Sequence, residues 1–175
     1  MEPCYGDIRE ISGRNTELFQ FANPGESIMD KWGLLDANGQ VVQSPKFTRY
    51  LFRGGWMEYN LFMTNEELDG THHYFVLDWD GKCLYETWCK SGERYQNGRF
   101  GDKAENAFLF WTKGSHHKGG YARLLVIDYD EDKDEDHVYA FDICISKYDW
   151  EENLVGHKVI KKHKLQDKIY LNSML

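Results

Sequence analysis

The chain has 175 residues, enough for one well-buried domain, with 41% hydrophobic and 15% aromatic residues and a formal net charge of −8. That charge works against nonspecific nucleic-acid binding, which needs a basic surface, and charges or glycines interrupt every apolar segment well short of the ~18 residues of a membrane span. The opening Met1-Glu2-Pro3-Cys4 has neither the basic start nor the apolar stretch of a signal peptide, so a cytoplasmic protein is expected.

In chain order, residues 17–22 predict a strand that ends at the turn Asn23-Pro24-Gly25. Residues 32–35 predict a short apolar strand. Asp36-Ala37-Asn38-Gly39 forms a turn whose Asn-Gly pair tolerates positive φ, and Gln40-Val41-Val42 returns as the second arm. Pro45 is expected to stop that arm, since it has no N–H to give to a ladder.

This whole run, residues 30–47, resembles one copy of a WG repeat. Trp32-Gly33, the apolar pair after it, Asp36, Gly39, Val41-Val42 and Pro45-Lys46-Phe47 match the family's order and spacing. The resemblance implies short β-repeats, common in bacteria, that stack side by side and serve as interaction modules without a shared catalytic residue. A bacterial or phage origin and a binding function follow only from it.

A WG unit alone cannot bury its apolar face, so further copies are expected. Residues 74–84 repeat the apolar run, the Asp and the Gly, with Asp78 and Gly81 each 42 residues after Asp36 and Gly39. Residues 124–128 repeat the apolar run and end on Asp128, but an acidic segment replaces the Gly. Both later copies lack Trp-Gly at the matching place.

Between these units, residues 56–63 alternate enough to place Met57, Tyr59, Leu61 and Met63 on one face of a strand. Residues 65–70 predict a turn or a single helical turn, residues 83–89 a strand, and Ser91-Gly92 and Asn97-Gly98 further turns. Residues 106–112 have no clean alternation and predict a strand buried on both faces. Residues 113–120 form a polar, glycine-rich loop, and residues 121–128 and 137–146 the arms of a long hairpin. Asp149 is expected to cap a short helix, with terminal strands over 154–160 and 168–171.

Many short strands with frequent turns, and no long 3.6-residue period, predict an all-β fold. The expected form is one domain over residues 1–175, with repeat-like units at 17–63, 72–112 and 121–171. Repeated antiparallel hairpins would make a curled sheet, with a partly closed barrel as the alternative because closure removes exposed edges.

The acidic run Asp130, Glu131, Asp132, Asp134, Glu135 and Asp136 is the first candidate site. It fails as an EF-hand, because Lys133 stands where that loop needs Gly and Tyr139 where it needs a bidentate Glu. A solvated hairpin tip is expected instead, able to engage a basic partner by fast, salt-sensitive association. Trp79, Trp88 and Trp150 are candidate aromatic anchors for such a partner.

His72 and His73 stand at a strand start, where neighbouring side chains point to opposite faces and do not easily grip one ion. His116 and His117, flanked by Gly114 and Gly119-Gly120, are the alternative metal ligands. Cys83 and Cys89 lie too far apart along one strand for a disulfide, no Cys-x-x-Cys occurs, and free buried thiols are expected. No Gly-x-Ser-x-Gly elbow, phosphate-binding Gly-x-x-x-x-Gly-Lys loop or His-Glu-x-x-His motif is present. Residues 157–164 are basic, the pattern of an edge strand guarded by lysines.

The sequence therefore points to a non-catalytic, cytoplasmic, acidic protein-binding module without a cofactor, of the inhibitor or immunity-antagonist kind. The alternatives are a small metal- or carboxylate-dependent hydrolase using His116 and His117, and a β module that stacks aromatics on carbohydrate.

Overall fold

A computed structural model describes residues 5–11, 18–50, 59–95, 106–115, 118–149 and 153–165. Among these there is no α-helix, and the strands form three antiparallel sheets. The all-β expectation holds; the described strands form no closed barrel. The chain divides into two compact units, Met1–Trp88 and Cys89–Leu175.

The first unit contains two four-stranded sheets. One has the order β1 (Asp7–Glu10), β2 (Phe19–Ala22), β3 (Trp32–Leu35), β4 (Val41–Phe47). The other has the order β5 (Arg49–Tyr50), β6 (Asn60–Leu68), β7 (Thr71–Leu77), β8 (Cys83–Cys89). Their shared core joins Leu18, Ala22, Trp32, Leu34 and Phe47 to Phe62, Phe75 and Leu77. Trp32 sits within 5.4 Å of Phe47 and 5.5 Å of Phe62, ring centre to ring centre. Such aromatic pairs add about 0.5–1.5 kcal/mol each beyond the apolar area they bury.

Gly33 beside it has a steric role. A Cβ there would lie 2.3 Å from the Gln43 carbonyl oxygen and 2.7 Å from the Pro45 nitrogen. The crossing chain is β4 at an irregularity: Leu34 pairs with Gln43, yet Trp32 pairs with Phe47. Pro45 therefore does not stop the strand. It falls inside the bulge of an edge strand, where its missing N–H removes no ladder bond.

The hairpin turns that begin at Asp36 and Asp78 use one bonding scheme. The Asp36 N–H donates to the Gln40 carbonyl and the Gly39 N–H to the Asp36 carbonyl, while Asp36 Oδ1 accepts from the N–H groups of Asn38 and Gln40. At an offset of 42 residues, Asp78 repeats all four bonds with Lys82, Gly81 and Asp80. Gly39 and Gly81 share the left-handed backbone, at φ 75° and 78°. The expected equivalence of the turns is present in the geometry.

Two further expectations change in this unit. Residues 65–68 continue β6, and Asp69-Gly70 alone makes the turn, with φ 52° and 73°; both central residues are left-handed, as in a type I′ hairpin. The alternation expected before it is absent, since Tyr59 through Thr64 are all buried. Both faces of this strand are covered, so no polar face is left to alternate. Met57 lies outside the described residues.

The second unit holds one five-stranded sheet of order β13 (Asn153–Leu165), β12 (Glu135–Asp149), β11 (Gly119–Asp130), β10 (Ala107–Ser115), β9 (Ser91–Tyr95). Ser91-Gly92 is strand rather than turn, paired with Trp111 and Phe110. Ala107 to Trp111 are buried at every position, as the lack of alternation predicts. Asp149 pairs with Asn153 and is a strand end, not a helix cap. The basic β13 takes the edge position. Residues 168–171 lie outside the described set.

Candidate functional site

Among the described residues the β11–β12 hairpin rises past its neighbours. β10 pairs with β11 only as far as Val126, and β13 pairs with β12 only from Val138. From there the pairs Ile127–Val138, Asp128–His137, Tyr129–Asp136 and Asp130–Glu135 continue as a two-stranded ribbon among the described residues. Of the acidic residues expected at its exposed tip, Glu131, Asp132 and Asp134 lie in the exposed turn, while Asp130, Glu135 and Asp136 are half-buried in the paired strands beside it.

The tip turns on Asp130, two positions beyond Asp128, the aspartate that aligns with Asp36 in the third repeat-like unit and that stays in the ladder opposite His137. Asp130 Oδ1 accepts from the Asp132 N–H and its carbonyl from the Lys133 N–H. Its Oδ2 lies 2.8 Å from Lys133 Nζ and 3.3 Å from His137 Nε2. The Lys133 bond, aided by His137, holds this carboxyl well below the usual carboxylate range, at about 2. Asp134 takes the left-handed position at φ 53° and accepts a hydrogen bond from the Tyr129 hydroxyl, which raises the Tyr129 pKa.

The tip is therefore not a uniform patch of negative charge. Asp130 is internally neutralised, whereas Glu131, Asp132 and Asp134 are exposed. Donor atoms of Asp130, Glu135 and His137 lie within 4.8 Å of one another, a spacing one divalent ion can bridge. Lys133 already supplies a cation at the shared Asp130 oxygen. The ladder leaves four residues in the turn, far from the twelve-residue loop of an EF-hand.

A second cluster lies on the β5–β8 sheet. His73 on β7 stacks flat on Trp88 of β8, with centroids 4.4 Å apart and planes 14° from parallel. Its Nδ1 is 3.6 Å from Glu66 Oε2 and its Nε2 3.7 Å from Glu86 Oε2. Glu66 reaches it through a bulge in β6: the ladder moves from Met63–Tyr74 to Glu67–His72, leaving Thr64, Asn65 and Glu66 across from His73 alone. Phe75 lies 4.2 Å from the imidazole, and Lys46 Nζ sits 4.4 Å from the Phe75 ring centre. Burial lowers the His73 pKa, outweighing the two carboxylates that would raise it.

No protein family, curated protein or solved structure that was compared matches this chain.

Of the aromatic anchors expected from sequence, Trp88 is exposed at 38%. Trp79 is half-buried and packs against the core of the first unit. Trp150, His116 and His117 lie outside the described residues. Burial pushes the Cys83 thiol up to about 11 and Cys89 to about 12, so both stay protonated and weakly nucleophilic near neutrality. Cys83, Cys89 and Cys144 are free. The His73–Trp88 cluster was not expected: adjacent histidines do face opposite ways, but His73 finds its partners on two other strands.

Proposed function

We propose that this chain is a non-catalytic recognition module that binds another protein through that protein's basic surface, as an inhibitor or antagonist in a bacterial or phage setting. The observation that carries the reading is the projecting tip, where Glu131, Asp132 and Asp134 stand exposed beyond the flanking strands. Charges in such a place attract a basic partner over a Debye length of about 8–10 Å and speed encounter. The WG-like hairpin and its repeat support binding as the purpose of the scaffold. A cytoplasmic setting, in which the free thiols stay reduced, belongs to the same reading.

The test leaves Asp130 in place, because it holds the turn together. Asp132→Asn, Asp134→Asn and Glu131→Gln combined should slow association with a captured partner and flatten its salt dependence, while the melting temperature stays unchanged. Association kinetics identical to wild type at low and high salt would remove the electrostatic mechanism.

A further inference from the structure

The tip is not the only place where negative charge meets an exposed surface. Trp88 lies on the outer strand of its sheet, with one carboxylate two residues before it and another delivered by the β6 bulge. We propose that Trp88, Glu86 and Glu66 form a receptor for an arginine side chain, so that the first unit carries its own contact with a basic partner. This rests on the reading that the partner is basic, and it assigns the residue type that docks.

Three observations support it. Trp88 is a large aromatic exposed on an edge strand; His73 stacks on one face of its indole, and the opposite face is the one a guanidinium would take. Glu66 is exposed at 68% and Glu86 at 33% of their side chains, and among the described residues His73 is the only salt-bridge partner of either. Burial keeps His73 on the neutral side, so at neutral pH neither carboxylate has a charged salt-bridge partner among the described residues, and Lys46 acts on the cluster only at longer range. A planar guanidinium can stack on indole and fork to a carboxylate at once, which a lysine ammonium cannot.

His73 gives the site a proton dependence of definite sign. The groups facing it are Glu66 from β6, Glu86 from β8 and, at longer range, Lys46 from β4; its neighbour His72 projects to the other side of β7. Once protonated, the imidazolium pairs with both carboxylates and repels an incoming cation. Arginine affinity therefore falls as the solution is acidified from neutrality through the titration of His73.

The experiment titrates the full chain with a hexa-arginine peptide by calorimetry and tryptophan fluorescence, with hexalysine as the comparison. Trp88→Thr, which keeps a strand-favouring side chain, and the surface pair Glu66→Gln with Glu86→Gln should each weaken hexa-arginine binding by about tenfold, in line with a desolvated cation–π contact or two charge pairs. Hexalysine should bind several-fold more weakly than hexa-arginine. Wild-type affinity should drop as the pH is lowered from neutrality to below the ordinary histidine value of 6.5, and His73→Gln should abolish that drop. If only the tip variant loses binding, the inference is overturned while the proposed function stands. If wild type binds neither peptide, both fail. Equal affinity for the two peptides, or a wild-type affinity that does not change with pH, also overturns the arginine site.

Discussion

The hairpin turns at Asp36 and Asp78 and the turn at Asp130 begin with the same device and put it to different ends. In all three an aspartate Oδ1 accepts the N–H two residues on, and its carbonyl accepts the N–H three residues on. The first two close on glycine. The Asp78 turn is also part of the packing: a Cβ on Gly81 would lie 3.0 Å from Leu34 Cδ1 and 3.1 Å from Val42 Cγ1, and Gln43 Nε2 donates to the Gly81 carbonyl at 2.9 Å. The third closes on Asp134, touches no core cluster, and surrounds itself with charge. Two turns thus hold the fold, while the third gives up glycine and packing for a charged, projecting end.

The largest expected effect separates the two fold-bearing turns from each other. Gly81→Ala combines the cost of a left-handed backbone, about 1–2 kcal/mol, with overpacking of about 1–3 kcal/mol. Gly39 has the same backbone but nothing within 4 Å of a built Cβ, so Gly39→Ala should show only the backbone cost, about 1–2 kcal/mol. Chemical denaturation of both variants checks this. Equal losses would mean that the second turn does not seat on the first hairpin.

A smaller effect separates these turns from the tip. Asp78→Ala removes an acceptor of two backbone bonds and should cost about 1–2 kcal/mol, as should Asp36→Ala. Asp130→Ala removes a similar acceptor from an exposed ribbon end and should leave the global melting transition in place. What should change is the local order of residues 131–134, read as faster amide exchange confined to the tip. A tip variant that unfolds the chain as readily as Asp78→Ala would abolish the distinction.

How much of this was legible in the sequence depends on how local the cause is. The Asp36 and Asp78 turns were legible because an aspartate, a glycine three positions later and two apolar arms specify the turn without distant help. The strand 107–111 was legible because five successive bulky or small apolar residues have no solvent face to offer. Pro45 misled because its tolerance depends on a bulge and an edge position, and both are set by the partner strand. The Asp69-Gly70 turn was obscured by the polar Asn65-Glu66-Glu67 run before it, which stays in β6 as a bulge that rejoins the β7 ladder at Glu67–His72. The acidic tip was legible as a charged hairpin end, but its pivot at Asp130 was not, because that depends on how far the β11–β12 ladder continues. The His73 cluster was hidden for the same reason. Counting back from the Asp78–Lys82 pair places His73 opposite Thr87, whereas the structure seats it against Glu86 and Trp88.

The finest test of the comparison is the titration of Asp130. A carboxyl depressed in the ordered turn stabilises that turn locally above its ordinary value, and the stabilisation is lost as pH falls through the depressed value. For Asp130 that window runs from the ordinary 3.8 down to about 2. At pH 3 Asp130 should therefore remain ionised and paired with Lys133. Carboxyl carbon chemical shifts followed by NMR from pH 6 to 1.5 measure this directly. Lys133→Ala removes the largest cause of the depression and should move the Asp130 midpoint up toward the ordinary range, with His137 retaining part of the shift. If the Asp130 midpoint is unmoved by Lys133→Ala, the tip is not organised around this pair, and its exposed carboxylates have no fixed turn to present them.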